Sequence, residues 1–319
     1  MAQATVLITD HGFADVELER AIVTAAGFEL AVAQCKTEAD VINAASAADA
    51  LLVQWAPVRA DAVRSLARCK VIVRLGIGVD NVDLEATKAR GIPVCNVPDY
   101  CIDEVADHAV SLALAMARQL RQIDRRTRSG QWKITPDAAM PAFRSSTFAV
   151  AGFGRIGRAV LERARGFGFR LAAYDPFVPA EVMAQSGVSR LTLDELFATA
   201  DVLSLHLPLN AETRHVVSGH QLSRMKRSAV IVNTSRGGLI DTVALAEALT
   251  AGRLGGAGVD VFESEPLEAD HPLRACENAL LTSHVAWYSD QSVPLLRRLA
   301  AEECVRALTG QPLKNQVNR

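Results

Sequence analysis

Short runs of Val, Ile and Leu alternate with longer stretches of helical periodicity along almost all of this 319-residue chain. That alternation is the signature of parallel sheets built from βαβ units. In the first third, strands are expected at 6–9, 29–33, 50–53, 71–75 and 93–97, with helical stretches such as 15–26 and 61–67 between them. Five strands in so short a stretch make one small doubly wound domain. Next, Val105, Ala109, Leu112, Met116 and Leu120 recur at three- and four-residue spacing, which predicts a long amphipathic helix over 103–120. Residues 128–146 lose all periodicity and read as a connecting loop. A second series then begins, with strands expected at 147–151, 171–174, 202–206, 229–233, 256–261 and 279–282, a helix at 156–167 and a final helix at 289–309. No repeat of fixed period and no low-complexity tract interrupts the pattern.

Composition removes several classes. The formal charge is −2, from 34 Lys and Arg against 36 Asp and Glu, so no overall pull toward phosphate backbones or anionic lipid exists. Half the residues are hydrophobic, too many for disorder and enough for a core without staples. No apolar run approaches the roughly 18–20 residues of a membrane span, and the N-terminus reads as a strand rather than a targeting segment. The six cysteines are scattered, with no C-x-x-C pair, so free thiols in a reducing cytoplasm are expected and no metal site. The basic stretch 118–128 (RQLRQIDRRTR) lacks interleaved aromatics for base stacking. It reads as solvated cations complementing a helix C-terminus, and no nucleic acid partner is expected.

One turn carries specific information. In TFAVAGFGRIGRA (147–159), Gly152, Gly154 and Gly157 form G-x-G-x-x-G directly after a strand and at the opening of a helix. Gly152 permits the tight turn, Gly154 lets the backbone approach a pyrophosphate, and Gly157 lets helix and strand pack closely. Asp175 ends the next strand, 18 residues beyond Gly157. An acid there accepts from ribose hydroxyls and repels a 2′-phosphate, favouring NAD over NADP. The turn lies mid-chain, after a complete earlier α/β set. The expected architecture is therefore an α/β fold of two doubly wound parallel-sheet domains. A Rossmann NAD-binding domain over 99–288 is inserted into a flavodoxin-like substrate domain made of 1–98 and 289–319.

Three polar groups follow late strands, the edge where open α/β sheets place ligands: Arg236 in IVNTSRGGLID, Glu265 in GVDVFESEP and His284 in LLTSHVAWYSDQS. An imidazole can exchange a proton with a hydroxyl or carbonyl oxygen near neutral pH. A carboxylate beside it fixes its orientation and favours the charged ring. A guanidinium grips a substrate carboxylate bidentately and polarises the adjacent carbonyl.

With these residues in view, the chain resembles the D-isomer-specific 2-hydroxyacid dehydrogenases over most of its length. The segments that carry the resemblance are VRLGIGVDNVDLEATKARGIPVCNVP (73–98), GFGRIG, HLPLN (206–210), NTSRGGLID, GVDVFESEP and the histidine segment. VCNVP, HVAWYSDQS and TGQPLKNQVN look most like the C-terminal-binding-protein branch. The resemblance implies that His284 acts as general acid when a 2-keto acid is reduced and as general base in reverse, with Glu265 paired to it and Arg236 holding the substrate. It implies cofactor contacts along Gly152–Gly157, including Arg155 and Ile156, and at Val105, Tyr174, Asp175, His206, Pro208, Thr213, Thr234, Ser235, Arg236, Asp260 and His284. Arg74, with backbone N–H groups around Ile77 and Gly78, would bind the substrate carboxylate. Trp287 would line the substrate pocket, and Asn96 would order the hinge and pocket.

Departures from the family pattern are Ser283 in place of the usual Pro before the histidine, and the absence of a Leu-x-Gly entry to the glycine turn. Glu265 stands where formate dehydrogenases of the superfamily carry Gln, which disfavours formate oxidation. The expected protein is a cytoplasmic, homodimeric NAD-dependent oxidoreductase acting on a small 2-keto or 2-hydroxy acid, with long phosphoglycerate dehydrogenases carrying C-terminal extensions not its template. The alternative is an NAD(H)-responsive peptide-binding module of the C-terminal-binding-protein type. A binding module has no need of an acid/base pair, which favours the enzyme.

Overall fold

Five apolar runs of the first third pair in parallel: β1 (Thr5–Ile8), β2 (Glu29–Val32), β3 (Ala50–Val53), β4 (Val71–Arg74) and β5 (Val94–Cys95). Their order is β2-β1-β3-β4-β5, the flavodoxin-like arrangement. This computed structural model describes residues 3–136 and 139–319. The sheet belongs to a unit made of residues 1–101 and 288–319, while 102–287 form a second unit. Residues 99–101 and Tyr288 thus group with the first unit rather than the second.

In the first unit, β3 is the fully buried centre, and Leu51, Val53, Val63, Leu66, Ile72 and Val94 gather in one core cluster. Helices α1 (Glu17–Ala25), α2 (Glu38–Ala45), α3 (Ala60–Ser65) and α4 (Leu84–Ala89) connect the strands. The chain's last helix, α12 (Ser292–Leu308), packs on α1, β3 and β4. Its Arg297 grips the fully buried Glu19 of α1 with two bonds of 2.8 and 2.7 Å. The C-terminal tail then covers the sheet's β5 edge. Asn318 accepts from the Val94 N–H at 2.8 Å and donates to the Ile92 carbonyl at 2.9 Å, and Gln316 bridges Cys95 in antiparallel sense. A covered edge offers no unpaired ladder to another chain.

The second unit holds a seven-stranded parallel sheet. Its strands are β6 (Thr147–Ala151), β7 (Arg170–Tyr174), β8 (Ser189–Arg190), β9 (Val202–Leu205), β10 (Val230–Asn233), β11 (Gly256–Val259) and β12 (Ala279–Leu281). The order β12-β11-β10-β9-β6-β7-β8 is the doubly wound dinucleotide-fold order with one strand added, so the direction of winding reverses between β6 and β9. Helices α5 (Ile102–Ala117) and α7 (Arg155–Gly166) cover one face over Phe148, Val150, Val230 and Val232. The other face, Leu203, Leu205, Ile231 and Val259, clusters with residues of α9 (Leu193–Thr199), α10 (Gly219–Arg224) and α11 (Thr242–Thr250). The short α8 (Ala180–Gln185) precedes β8. Both sheets bear out the two-domain parallel α/β fold class expected from the sequence.

The predicted helix over 103–120 is broken. It stops at Ala117, Gln119 turns left-handed at φ 51°, and a separate α6 runs from Leu120 to Arg128. The buried stripe ends at Met116, and arginines beyond it find partners both across this unit and within α6. Arg121 donates to the Cys276 carbonyl at 3.2 Å and also reaches Glu277, Arg125 forms a two-pronged pair with the Glu277 carboxylate, and Arg128 pairs with Asp124 at 2.8 Å. These cations are paired, while the side chains of Arg125 and Arg128 stay 59% and 79% exposed to solvent. Within the predicted loop 128–146, residues 137 and 138 lie outside the described residues. The remainder is irregular apart from the end of α6 and a single 3-10 turn at Phe143–Ser145. Among the described residues no helix is long and apolar enough to cross a membrane. All six cysteines carry free thiols.

Candidate active site

The register of the seven-stranded sheet lines up its strand ends. Ala151 lies opposite Tyr174 and Leu205, Leu205 opposite Asn233, Asn233 opposite Val259, and Val259 opposite Leu281. The next residue on each strand is Gly152, Asp175, His206, Thr234, Asp260 or Thr282. Five of these six are residues the sequence singles out. One edge of one sheet thus gathers segments that are more than a hundred residues apart in the chain.

At the β6 end the backbone turns so tightly that Gly152 has φ 99°, and a Cβ there would sit 2.6 Å from the His206 carbonyl oxygen. A Cβ on Gly157 would collide with the Gly152 carbonyl, whereas the space around Gly154 is open. Helix α7 starts at Arg155 with Gly154 as its cap residue and no side-chain cap, so its first N–H groups and positive dipole end are left for an anion. Asp175 accepts from the backbone N–H groups of Phe153 and Phe177, each at 2.9 Å, which holds its carboxylate beside the glycine turn. Thr234 is 8 % exposed, and its hydroxyl has no hydrogen-bond partner among the described residues. A glycine cradle, an uncapped helix start and an orphaned buried hydroxyl on the same sheet edge fit a dinucleotide.

Other residues expected to touch the cofactor shape the surrounding loops. Thr213 donates to the Pro208 carbonyl at 2.6 Å, and Ser235 donates to the Leu207 carbonyl at 2.8 Å. His206 bonds the buried Ser204 hydroxyl at 2.9 Å, and burial pushes its imidazole down to about 3, so the ring is neutral at ordinary pH. Val105 is buried on α5 and Tyr174 ends β7. Arg155 and Ile156 open α7.

The chemistry-bearing side chains come from the loops after β10, β11 and β12. Asn233, buried at the end of β10, accepts from the Ser235 N–H at 3.1 Å and donates to the Arg236 carbonyl at 2.8 Å, so it forms the turn that presents Arg236. His284 adopts a left-handed backbone at φ 58°, a costly conformation for a residue with a side chain. What holds it there is Asp260. The His284 N–H donates to the Asp260 carbonyl at 2.8 Å, and the fully buried Asp260 carboxylate accepts from the N–H groups of Val285 and Ala286, each at 3.0 Å. It also takes the Thr282 hydroxyl at 2.5 Å. With the Thr282 proton spent on Asp260, the 3.0 Å contact between His108 and Thr282 requires His108 Nε2 to donate. Trp287 closes the loop by donating its indole N–H to the His284 carbonyl at 2.8 Å.

His284 Nδ1 and Glu265 Oε2 stand 2.7 Å apart, and Glu265 Oε1 accepts from the Phe262 N–H at 2.9 Å. Burial pushes the Glu265 carboxyl up. The hydrogen bond and charge of His284, the Phe262 N–H and the charge of Arg236 outweigh it and hold the group below its ordinary value. An ionised Glu265 requires the proton between the pair to sit on Nδ1, which leaves Nε2 as the nitrogen that can exchange a proton. On the first unit, Arg74 ends β4, and Asn96 donates to the Ile77 carbonyl at 2.6 Å, fixing the turn that carries Ile77 and Gly78. The sequence reading missed the roles of Asn233, Thr282 and His108. The only sequence signals were an Asn two residues before a Ser at a strand end and a Thr before the histidine.

Residues 110–286 match the NAD binding domain of the D-isomer specific 2-hydroxyacid dehydrogenases. The chain is 37% identical over 292 residues to a D-3-phosphoglycerate dehydrogenase of Methanocaldococcus jannaschii, covering 91% of this chain and 55% of that protein. It therefore spans about half the length of that relative. A glyoxylate reductase of Korarchaeum cryptofilum is 37% identical over 266 residues, 82% of this chain and 80% of that one. Among solved structures, the D-lactate dehydrogenase of Aquifex aeolicus in complex with NAD and lactic acid superposes with a TM-score of 0.87 at 28% identity, covering 96% of each chain. From its family match and these relatives, the chain belongs to the D-isomer-specific 2-hydroxyacid dehydrogenase family.

Proposed function

We propose that the protein is an NAD-dependent oxidoreductase interconverting a 2-keto acid and the corresponding D-2-hydroxy acid. The observation that carries this reading is the 2.7 Å His284–Glu265 pair, formed between the loops after β11 and β12 on the sheet edge that carries the dinucleotide cradle and within the field of Arg236. The nicotinamide, when bound, supplies the hydride for reduction or accepts it in oxidation. In reduction, His284 Nε2 gives its proton to the carbonyl oxygen, and in oxidation it takes the proton from the hydroxyl. Glu265 keeps the ring oriented through Nδ1. Arg236 grips the substrate carboxylate and polarises the adjacent carbonyl. Arg74 and the N–H groups of Ile77 and Gly78 are assigned to the substrate carboxylate, and Trp287 to the substrate side chain. Asp175 takes the ribose hydroxyls and disfavours a 2′-phosphate, so NAD is preferred to NADP. The active form is assigned as a cytoplasmic homodimer.

The test combines purified protein, NADH or NADPH, and a panel of glyoxylate, hydroxypyruvate, its 3-phosphate, phenylpyruvate and branched 2-keto acids, following nicotinamide absorbance. Turnover of a panel member with NADH, lost in His284→Ala, is the expected result. NADH binding without turnover anywhere in the panel would refute the reductase and favour a cofactor-responsive peptide-binding module. Light scattering on the same sample checks the dimer.

A further inference from the structure

We propose that Glu263 is a positioning residue for the acid–base pair, acting through Glu265; this rests on the dehydrogenase reading above. Glu263 lies two residues before Glu265 on the loop after β11, and its carboxylate points into a different set of partners. Oε1 lies 2.6 Å from His215 Nε2 and 3.6 Å from the Arg214 guanidinium, and Oε2 lies 3.2 Å from the Thr242 hydroxyl. The same hydroxyl is 3.1 Å from His271 Nε2, and His271 Nδ1 is 3.2 Å from the Leu273 backbone N–H.

The direction of every bond in this chain follows from its far end. A backbone N–H can only donate, so His271 Nδ1 accepts and the ring carries its proton on Nε2. Nε2 then donates to Thr242, whose single proton is left for Glu263. His215 Nε2 meets the other oxygen, Oε1. The Glu263 carboxyl therefore joins two hydrogen-bonded arms, accepting from Thr242 on one and paired with His215 on the other.

Those arms come from the segments that frame the site. His215 is left-handed at φ 51°, and its N–H donates to the Gly238 carbonyl at 2.8 Å, within the 3-10 turn Gly237–Leu239 that follows Arg236. Thr242, 3 % exposed, is the first residue of α11, and His271 caps the 3-10 turn Pro272–Ala275. A Cβ on Gly237 would overlap the Phe262 carbonyl, so the Phe262–Glu263 peptide rests directly on the residue after Arg236. Glu263 thus staples the loop bearing Glu265 to the turn bearing Arg236. The link to Glu265 is one residue long, since the Phe262 N–H is the donor that holds Glu265 Oε1.

The test is a double-mutant cycle on turnover, with Glu263→Ala, Glu265→Gln and the pair together. Glu263→Ala is expected to lower kcat by about 10- to 100-fold, the range that a misplacement near 1 Å produces, while KM for NADH stays unchanged. Glu263→Gln, which keeps the shape and one acceptor oxygen, should restore most of that loss. The double variant should be no slower than Glu265→Gln alone, because the second loss acts through the first. Losses that multiply in the double variant, or an unchanged kcat in Glu263→Ala, would overturn the proposal. Should Glu263→Ala not fold, Thr242→Val removes one arm at constant volume and is read by the same cycle. If Glu265→Gln and His284→Ala both turn over normally, the acid–base reading itself has failed, an outcome distinct from a failure of Glu263 alone.

Discussion

His206 offers a quantitative check on how dry this sheet edge is. Its imidazole hydrogen-bonds Ser204, and burial lowers its pKa to about 3, against about 6.5 for a histidine in an unfolded chain. Between those values the unfolded state binds a proton that the folded state refuses. Stability from this group is therefore complete above about pH 6.5 and is lost as pH falls toward the folded value. At pH 5 the deficit spans about 1.5 pH units. At about 1.36 kcal/mol per unit this is an upper bound of about 2 kcal/mol, since the side chain retains a partly accessible edge. Urea unfolding of the wild type and of His206→Gln, at pH 7 and at pH 5, isolates the contribution. The amide of Gln can still bond Ser204 but does not titrate, and the six other histidines cancel in the comparison. The wild type should lose up to about 2 kcal/mol more than the variant between the two pH values. Equal losses would refute the claim that His206 is held neutral by burial.

Three further outcomes are expected. Because Glu265 is held below its ordinary carboxyl value, its contribution to stability is present above the unfolded value and disappears as pH falls through the lower folded one; the unfolding free energy from urea titrations should therefore fall more steeply between neutral and acid pH in wild type than in Glu265→Gln, and equal slopes would contradict the depressed carboxyl. Arg297→Ala strips the partner from a fully buried Glu19 and should cost about 3–5 kcal/mol in chemical denaturation; a loss below about 1 kcal/mol, the worth of an exposed pair, would contradict the burial. Gly157→Ala drives a methyl into the Gly152 carbonyl and should weaken NADH binding in a fluorescence titration by at least about tenfold while costing about 1–3 kcal/mol of stability; unchanged affinity would show that the cradle tolerates the shift.

Much of the fold was legible because parallel strands are buried on both faces and so appear as unbroken apolar runs. ALLV of β3 and the VIV of β10 are of this kind, fully covered in the structure. β8 was invisible for the converse reason: Ser189 and Arg190 are exposed and pair only with β7. The break at Gln119 escaped because its cause is distant, the anchoring of Arg121 and Arg125 on Glu277 more than 150 residues later. At the site, Arg236, Glu265 and His284 could be found because each follows an apolar run that stops at a sheet edge. Asp260 was expected only as a cofactor contact, yet its carboxylate is buried and occupied by the backbone of the His284 loop. No local pattern distinguishes an acid aimed at solvent from one that binds N–H groups 25 residues away.

The position of α12 in the first unit sets a schedule for biosynthesis. Strands β1 to β5 leave the ribosome early, but the helix that covers β3 and β4 and supplies the counterion for Glu19 is made some 190 residues afterwards. At about 5–20 residues per second that interval is on the order of 10–40 s. Throughout it the nascent first unit carries a bare apolar sheet face and an unpaired buried-to-be acid, while the whole of the second unit can emerge and collapse. The face over β3 and β4 is therefore covered only after the whole of the inserted unit has been synthesised.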